Sequence, residues 1–365
     1  MKKGRENFKD WRENMAKKGL DISTIQTVLR DVKDSSGWSL CIGAGTSMPV
    51  LPDWFSLVEN LINKNCDSKD IIDIEIYKKM GFSADAMIQA VRNRLDIDDN
   101  KFIQILSEEV YAPIKDNVDL KEWKSFIKIH EASTLAGISE KEWKNFEKII
   151  DKVLNSTSAN LLAEVVVESI SSEVAPKAIL TFNGEAIFLS LLNYYYWMKR
   201  TDNKNKFDRI VNGIINRHIS RIPYIHCHGV LPINGAKERK GHNANDKLVF
   251  LEESYLQLAN SPMSWQAINF IENCMQSKMV FVGVSLSDAN MRRWLGWIHS
   301  NKMEEFRING FDCKDATEHF WINKKPKTDV EKTWMEESVA HLGVRLVWID
   351  EWNQVGEVLE KMLGL

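Results

Sequence analysis

The chain has 365 residues, 44% of them hydrophobic, with a formal net charge of −3. That is enough apolar material for one large domain or two unequal ones. The charge gives no reason to expect direct nucleic-acid binding, and without a long unbroken apolar run no membrane span is expected. The opening MKKGRENFKDWRENMAKKG lacks the apolar core of a signal peptide. The cysteines, Cys41, Cys66, Cys227, Cys274 and Cys313, are irregularly spaced, which suits a reducing cytoplasm.

In chain order, residues 1–36 read as an N-terminal arm of two helices. The second, Ile22 to Val32, carries a stripe of Ile22, Ile25, Val28 and Leu29 that packs either on the body of the domain or on a neighbouring subunit. Trp38 to Ile42 reads as a buried strand that empties into Gly43-Ala44-Gly45-Thr46-Ser47, with a helix after Pro52-Asp53. Residues 65–175, nearly free of glycine and proline, read as a helical insertion that caps a cleft. Strands are expected at 178–182, 223–227, 247–251, 278–282, 318–322 and 343–348. Helical patterns lie at 184–198, 263–276, 288–300 and 329–341, and Trp352 to Leu363 forms a last helix. Such alternation predicts an α/β fold, a doubly wound, mostly parallel, Rossmann-like sheet. Its core is built from 37–64 and 176–365, with 65–175 inserted. The polar segment Asn234 to Asp246 reads as a mobile loop.

A strand that breaks into glycines before a helix exposes backbone N–H groups to a phosphate. The loop is weak evidence alone: Met48 stands where the dinucleotide fingerprint has its third glycine, and a plain tight turn reads equally well. Three other strands also end in small or polar residues. They are Ala178 to Phe182 before Asn183-Gly184-Glu185, Pro223 to Cys227 before His228-Gly229, and Lys278 to Val282 before Gly283-Val284-Ser285-Leu286-Ser287-Asp288. The carboxyl ends of strands are where open α/β sheets bind ligands.

These four segments, in this order, resemble the sirtuin-like family, whose motifs run G-A-G-x-S, T-x-N-x-D, H-G and G-x-S-L. Thr181-Phe182-Asn183-Gly184-Glu185 supplies the second, with glutamate at the acidic position. The resemblance covers Trp38 to about the C-terminus and leaves residues 1–37 and 65–175 unexplained. Protein-deacylating members continue G-I-P-x-F-R, whereas this chain has Val50-Leu51-Pro52-Asp53-Trp54-Phe55, with Phe55 in place of the arginine. They also carry paired C-x-x-C zinc motifs, and no two cysteines here lie within four residues. The segments Leu51-Pro52-Asp53-Trp54 and Leu248 to Tyr255 look like the bacterial anti-phage branch. The resemblance therefore implies cleavage of NAD, as substrate, at its nicotinamide–ribose bond, without a metal, in abortive infection. It also implies a separately encoded partner such as a ring ATPase or a nucleic-acid-guided protein, and a homo-oligomer is expected because symmetric oligomers are the common arrangement of soluble proteins. An NAD-dependent deacylase and a non-catalytic NAD- or ADP-ribose-binding subunit are the alternatives.

The chemistry selects the same residues. Asn183 offers donors and an acceptor to ribose hydroxyls or a fixed water, though an asparagine before glycine also forms turns. His228 suits proton transfer, since histidine is the side chain that ordinarily titrates near neutrality, though a packed histidine at a strand end is the plainer reading. The resemblance gives both residues the catalytic roles. His226, two residues earlier, reads as structural. Gly43, Ala44, Gly45, Thr46 and Ser47 would cradle the diphosphate. Gly283 would let the backbone approach the cofactor, and Ser285 would donate to a phosphate or the adenosine ribose. Glu185 and Asp53 are further cofactor-binding candidates, Asp53 also fitting a helix N-cap. Ser287 or Asp288 reads as an N-cap, and Asp350 could meet the adenosine ribose.

Overall fold

The computed structural model describes residues 18–25, 28–29, 37–200, 205–213, 220–233, 248–261, 263–312 and 318–365. Its strands are β1 (Leu20–Asp21), β2 (Trp38–Ile42), β3 (Ile179–Thr181), β4 (Phe207–Ile210), β5 (Ile222–His226), β6 (Lys278–Val282), β7 (His319–Lys324) and β8 (Val344–Ile349). They form one eight-stranded sheet in the order β1-β8-β7-β6-β2-β3-β5-β4. Pairing is parallel where β6 runs beside β2 from Lys278 opposite Trp38 to Val282 opposite Ile42. It is parallel as well between β6 and β7, β7 and β8, β1 and β8, and β4 and β5. The α/β, mostly parallel, Rossmann-like fold expected from the alternation is the one observed. Chain order reverses around β2: β3 lies on one side and β6 on the other. Such a reversal point is the ligand-binding place of open parallel sheets.

The chain divides into two compact units. One comprises Met1–Gly43, Glu168–Leu180 and Ala267–Leu365, the other Ala44–Val167 and Thr181–Gln266. In the first, β2 is buried along its whole length, as a parallel strand covered on both faces is, and its polar residue Ser39 accepts from Ser277 Oγ at 2.7 Å. Around the sheet stand α10 (Trp265–Gln276), α11 (Ala289–Asn309), α12 (Asp329–Ala340) and α13 (Val355–Leu363). Phe270 of α10 meets Phe281 of β6 and Trp294 of α11 at ring-centroid distances of 6.2 and 5.5 Å. Asp288 N-caps α11 by accepting from the N–H groups of Asn290 and Met291, as its sequence position suggests.

The second unit is mainly helical. It holds α1 (Trp54–Asn65), α2 (Ile74–Lys79), α3 (Ala84–Leu95), α4 (Asp99–Lys115), α5 (Leu120–His130), α6 (Glu140–Ile149), most of α7 (Ser158–Ser171), α8 (Ile187–Arg200) and α9 (Glu252–Ala259). Helix starts here are written in the sequence. Asp119 and Ser139 each accept from the third helical N–H while Glu122 and Glu142 return the bond, closing capping boxes on α5 and α6. The inner faces meet in an aromatic core, with Trp143 stacked on Trp197 at 5.4 Å and Phe126 on Phe146 at 6.2 Å.

Four expectations change. Leu20–Asp21 is a strand on β8, and 22–24 is a turn, so this part of the arm is not helical. Leu29 is instead fastened by its N–H to the Met362 carbonyl at 2.9 Å. The rest of the arm lies outside the described residues, as does 234–247 with the polar loop. Residues 248–250 form no strand: Val249 N–H donates to the His228 carbonyl at 3.1 Å, and the apolar run serves as a packed wall. The strand β4, whose FDRI sequence alternates buried ends with half-exposed middle residues, was not expected. Finally, the helix foreseen at 288–300 continues to Asn309, where Gly310 ends it in the left-handed conformation at φ 73°.

Candidate functional site

The glycine loop begins where β2 stops. Gly43 N–H donates to the Val282 carbonyl at 3.0 Å, continuing the ladder with β6. A β-carbon on Gly43 would stand 2.5 Å from the Gly283 carbonyl oxygen, so two of the candidate glycines meet within the first unit. Ser285 shares a 2.6 Å hydrogen bond with Ser287. Between them Leu286 adopts φ 51°, a left-handed conformation that costs energy for a branched residue. Arg292 Nη1 holds it by donating to the Leu286 carbonyl at 3.0 Å.

In the second unit Ala44–Thr46 makes a single 3-10 turn that delivers Ser47 to Glu185. Ser47 Oγ donates to Glu185 Oε1 at 2.6 Å, and Asn183 Nδ2 donates to the same oxygen at 2.8 Å. The Ile187 N–H donates to Oε2 at 2.5 Å, so the carboxylate also caps α8. All three groups are donors, and an ionised carboxylate is the form that only accepts. Burial pushes the Glu185 carboxyl above its ordinary value, against the pull of Ser47, Ile187 and Asn183. No cation acts on it among the described residues.

This cluster forms the polar end of a small recess of about 40 Å³ whose other walls include Trp54, Phe250, Val110 and Leu231. Trp54 and Phe250 rings lie 5.0 Å apart. Gly184 is required here: a β-carbon on it would stand 2.0 Å from Phe250 Cζ. Asn183 spends its amide N–H on Glu185, which leaves Oδ1 buried and without a hydrogen-bond partner among the described residues. An orphaned buried acceptor costs about 1–3 kcal/mol unless a ligand supplies the missing donor.

His228 is buried beside this recess but does not line it. Its ring stands edge-on to Phe182 at 4.9 Å and to Tyr255 at 5.2 Å. His226 is fully buried against Tyr224 at 4.9 Å. Burial, then the Arg209 charge and His130, hold its imidazole well below the ordinary value, the state of a neutral packed histidine. Asp53 accepts from the N–H groups of Phe55 and Ser56, both at 2.9 Å, and N-caps α1. The Asp350 N–H donates to Gln354 Oε1 at 2.8 Å, and its side chain is exposed. The structure thus brings Ala44, Ser47, Asn183 and Glu185 to one recess, and Gly43 to Gly283. Sequence reasoning did not single out Phe250, Val110 or Leu231. Phe250 sat inside an apolar run, and nothing local marks the other two.

Open parallel sheets bind ligands at such a reversal point, and a recess with apolar walls and a few convergent polar groups is the usual form of a small-molecule site. Residues 188–342 match the family model of the SIR2-like domain. The match takes in His228, Gly283 and Ser285 and begins after the glycine loop and Asn183. Comparison with curated proteins gives no match. A SIR2-like domain is NAD-related, and two features of the recess fit that ligand. Asn183 Oδ1 awaits a donor such as a ribose hydroxyl, and the Trp54–Phe250 wall suits a planar ring. Among the described residues no group of three or more His, Cys, Asp or Glu side chains is placed to hold a metal. No helix among the described residues is long and apolar enough to cross a membrane.

Proposed function

We propose that the chain is an NAD+ glycohydrolase. The reaction breaks the bond between ribose C1′ and the pyridinium nitrogen, and the electron pair leaves with neutral nicotinamide. Water adds to C1′, and its proton is released, giving ADP-ribose. The departing group is already activated by its positive charge, so the demand on the protein is to hold the ribose, favour positive charge at C1′ and accept a proton, as in glycoside cleavage. In this reading Asn183 Oδ1 holds a ribose hydroxyl and Glu185 fixes the amide so that Oδ1 is the free end. The buried carboxylate also favours developing positive charge. His228 takes the proton, closing on the site when substrate is bound, since catalytic contacts are often long in the free enzyme.

The single observation that carries the reading is the orphaned Asn183 Oδ1 beside a fully bonded buried carboxylate. The biological setting we infer is depletion of NAD in anti-phage defence, by a homo-oligomer that answers to a separate partner. Phe55 in place of arginine weighs against deacylation. The test is incubation of the full chain with NAD, with and without an acyl-lysine peptide, followed by chromatography. Nicotinamide with free ADP-ribose, formed without peptide and in the presence of a strong chelator, supports hydrolysis. Peptide-dependent nicotinamide release would support deacylation instead, and no release under any condition, with tight ADP-ribose binding, would support a binding subunit.

A further inference from the structure

Three consecutive residues downstream of His228 are held by side chains of the helical segment. Tyr111 Oη of α4 donates to the Leu231 carbonyl at 3.2 Å. One turn earlier on the same face of α4, Ser107 Oγ donates to the Pro232 carbonyl. Glu131, just after α5, accepts from the Ile233 N–H at 3.1 Å. Leu231 then turns its own N–H to the Gly184 carbonyl at 2.6 Å, and Gly184 sits between Asn183 and Glu185. Leu231 lines the recess, as does Val110, the neighbour of Tyr111.

The Leu231 contact gives this chain of bonds a polarity. Tyr111 Oη is 2.9 Å from His130 Nε2. Since the phenol proton goes to Leu231, the imidazole must donate from Nε2, which sets the tautomer. Burial, then Arg209, keeps His130 well below its ordinary value, so the ring is neutral. Arg209 Nη1 in turn donates to the His130 carbonyl at 2.8 Å. Ser107, Tyr111, His130, Leu231 and Ile233 are all buried. Losing a buried bond such as Tyr111 to Leu231 would leave its partner unsatisfied, so these contacts tie the loop to the helical segment.

We propose that Tyr111 and Ser107 are positioning residues for the reaction: through Leu231 and Pro232 they set the placement of His228 and of the Asn183 amide. The helical segment is then a brace on the site, and any partner that shifts α4 alters catalysis without touching the substrate. The proposal rests on the glycohydrolase reading. Its force comes from geometry, since a displacement near 1 Å in a catalytic constellation can cost about a hundredfold in rate.

The test compares full-length wild type, Tyr111→Phe, Ser107→Ala and the double variant. Both changes are small, and a thermal melt checks that each variant is folded. For Tyr111→Phe and for Ser107→Ala, kcat for NAD cleavage is expected to fall about tenfold with KM within twofold. The double variant should fall by less than the product, because both side chains hold the same loop. In protein labelled at histidine, the His228 ring resonance, identified from its loss in His228→Ala, should move in Tyr111→Phe. An unchanged kcat, an effect confined to KM, or a stationary His228 resonance in folded variants would overturn the proposal while leaving the glycohydrolase reading intact. Failure of the wild type to release nicotinamide would remove that reading and the positioning role with it.

Discussion

Glu185 is the residue on which the site turns. One extra methylene compared with aspartate lets its carboxylate reach Ser47 Oγ, Asn183 Nδ2 and the Ile187 N–H together. The cost is a buried charge without a cation partner among the described residues, and three donors offset part of it. Asn183 is consequently held by one end. Asn183→Ala removes both the bond to Glu185 and the free acceptor. We expect NAD turnover to fall a hundredfold or more, as when a preorganised polar group is lost from an active site, with the folded state retained. His228→Ala should likewise abolish turnover. His226→Ala should keep turnover per folded molecule while lowering the melting temperature, because it empties a fully buried position. Steady-state rates and melts on the three proteins decide: if His226→Ala alone loses activity, the proton-accepting role has been given to the wrong histidine.

Among the elements, the segment 248–250 shows how an apolar run deceives. Leu248-Val249-Phe250-Leu251 has a strand's composition, yet it forms no strand; Val249 N–H bonds the chain after β5 at the His228 carbonyl, and Phe250 serves as a wall against Gly184 and Trp54. Periodicity cannot separate a buried strand from a packed coil of the same residues. The Gly184 contact gives a sharp test. Gly184→Ala would place a methyl carbon 2.0 Å from Phe250 Cζ, so the ring must move out of the recess wall. A loss of about 1–3 kcal/mol in stability is expected from such overpacking, with a larger KM for NAD. The double change Gly184→Ala with Phe250→Leu should recover part of the stability in a denaturant titration. An unaffected Gly184→Ala protein would mean that the recess is looser than described.

At the scale of the whole molecule, three buried histidines set the acid limit. His130, His226 and His319 are buried, and all three are held below the ordinary imidazole value, His319 to about 3, chiefly by burial. The unfolded chain therefore binds protons near pH 6.5 that the folded chain does not. The sign follows: the stabilisation is complete above about pH 6.5 and is lost as pH falls toward the folded values, at up to about 1.4 kcal/mol per pH unit for each histidine. Denaturant midpoints measured at pH 7.5 and 5.5 should drop on acidification, and less steeply in His226→Ala than in wild type. A flat profile would show that the buried rings do not stay neutral. Assembly belongs to this scale as well. We expect light scattering to give a homo-oligomer and turnover per chain to fall on dilution. A monomer with full, dilution-independent turnover would sink that expectation.

The sequence by itself determined the fold class. Trp38–Ile42 and Lys278–Val282 are short apolar runs stopped by glycine. That information is local, because burial on both faces of a parallel strand strongly favours apolar residues along it. The caps of α1 at Asp53 and α11 at Asp288 were legible for the same reason. Tertiary structure alone decided how the site is wired. Ser47 meets Glu185 across 138 positions of sequence and Tyr111 meets Leu231 across 120. Phe250 reaches Gly184 from within a run that reads as a strand. A hydrogen bond between distant segments leaves no pattern in either segment: serine, tyrosine and glycine are ordinary residues where they stand. Only the fold gives Glu185 its three donors and leaves one oxygen of Asn183 free.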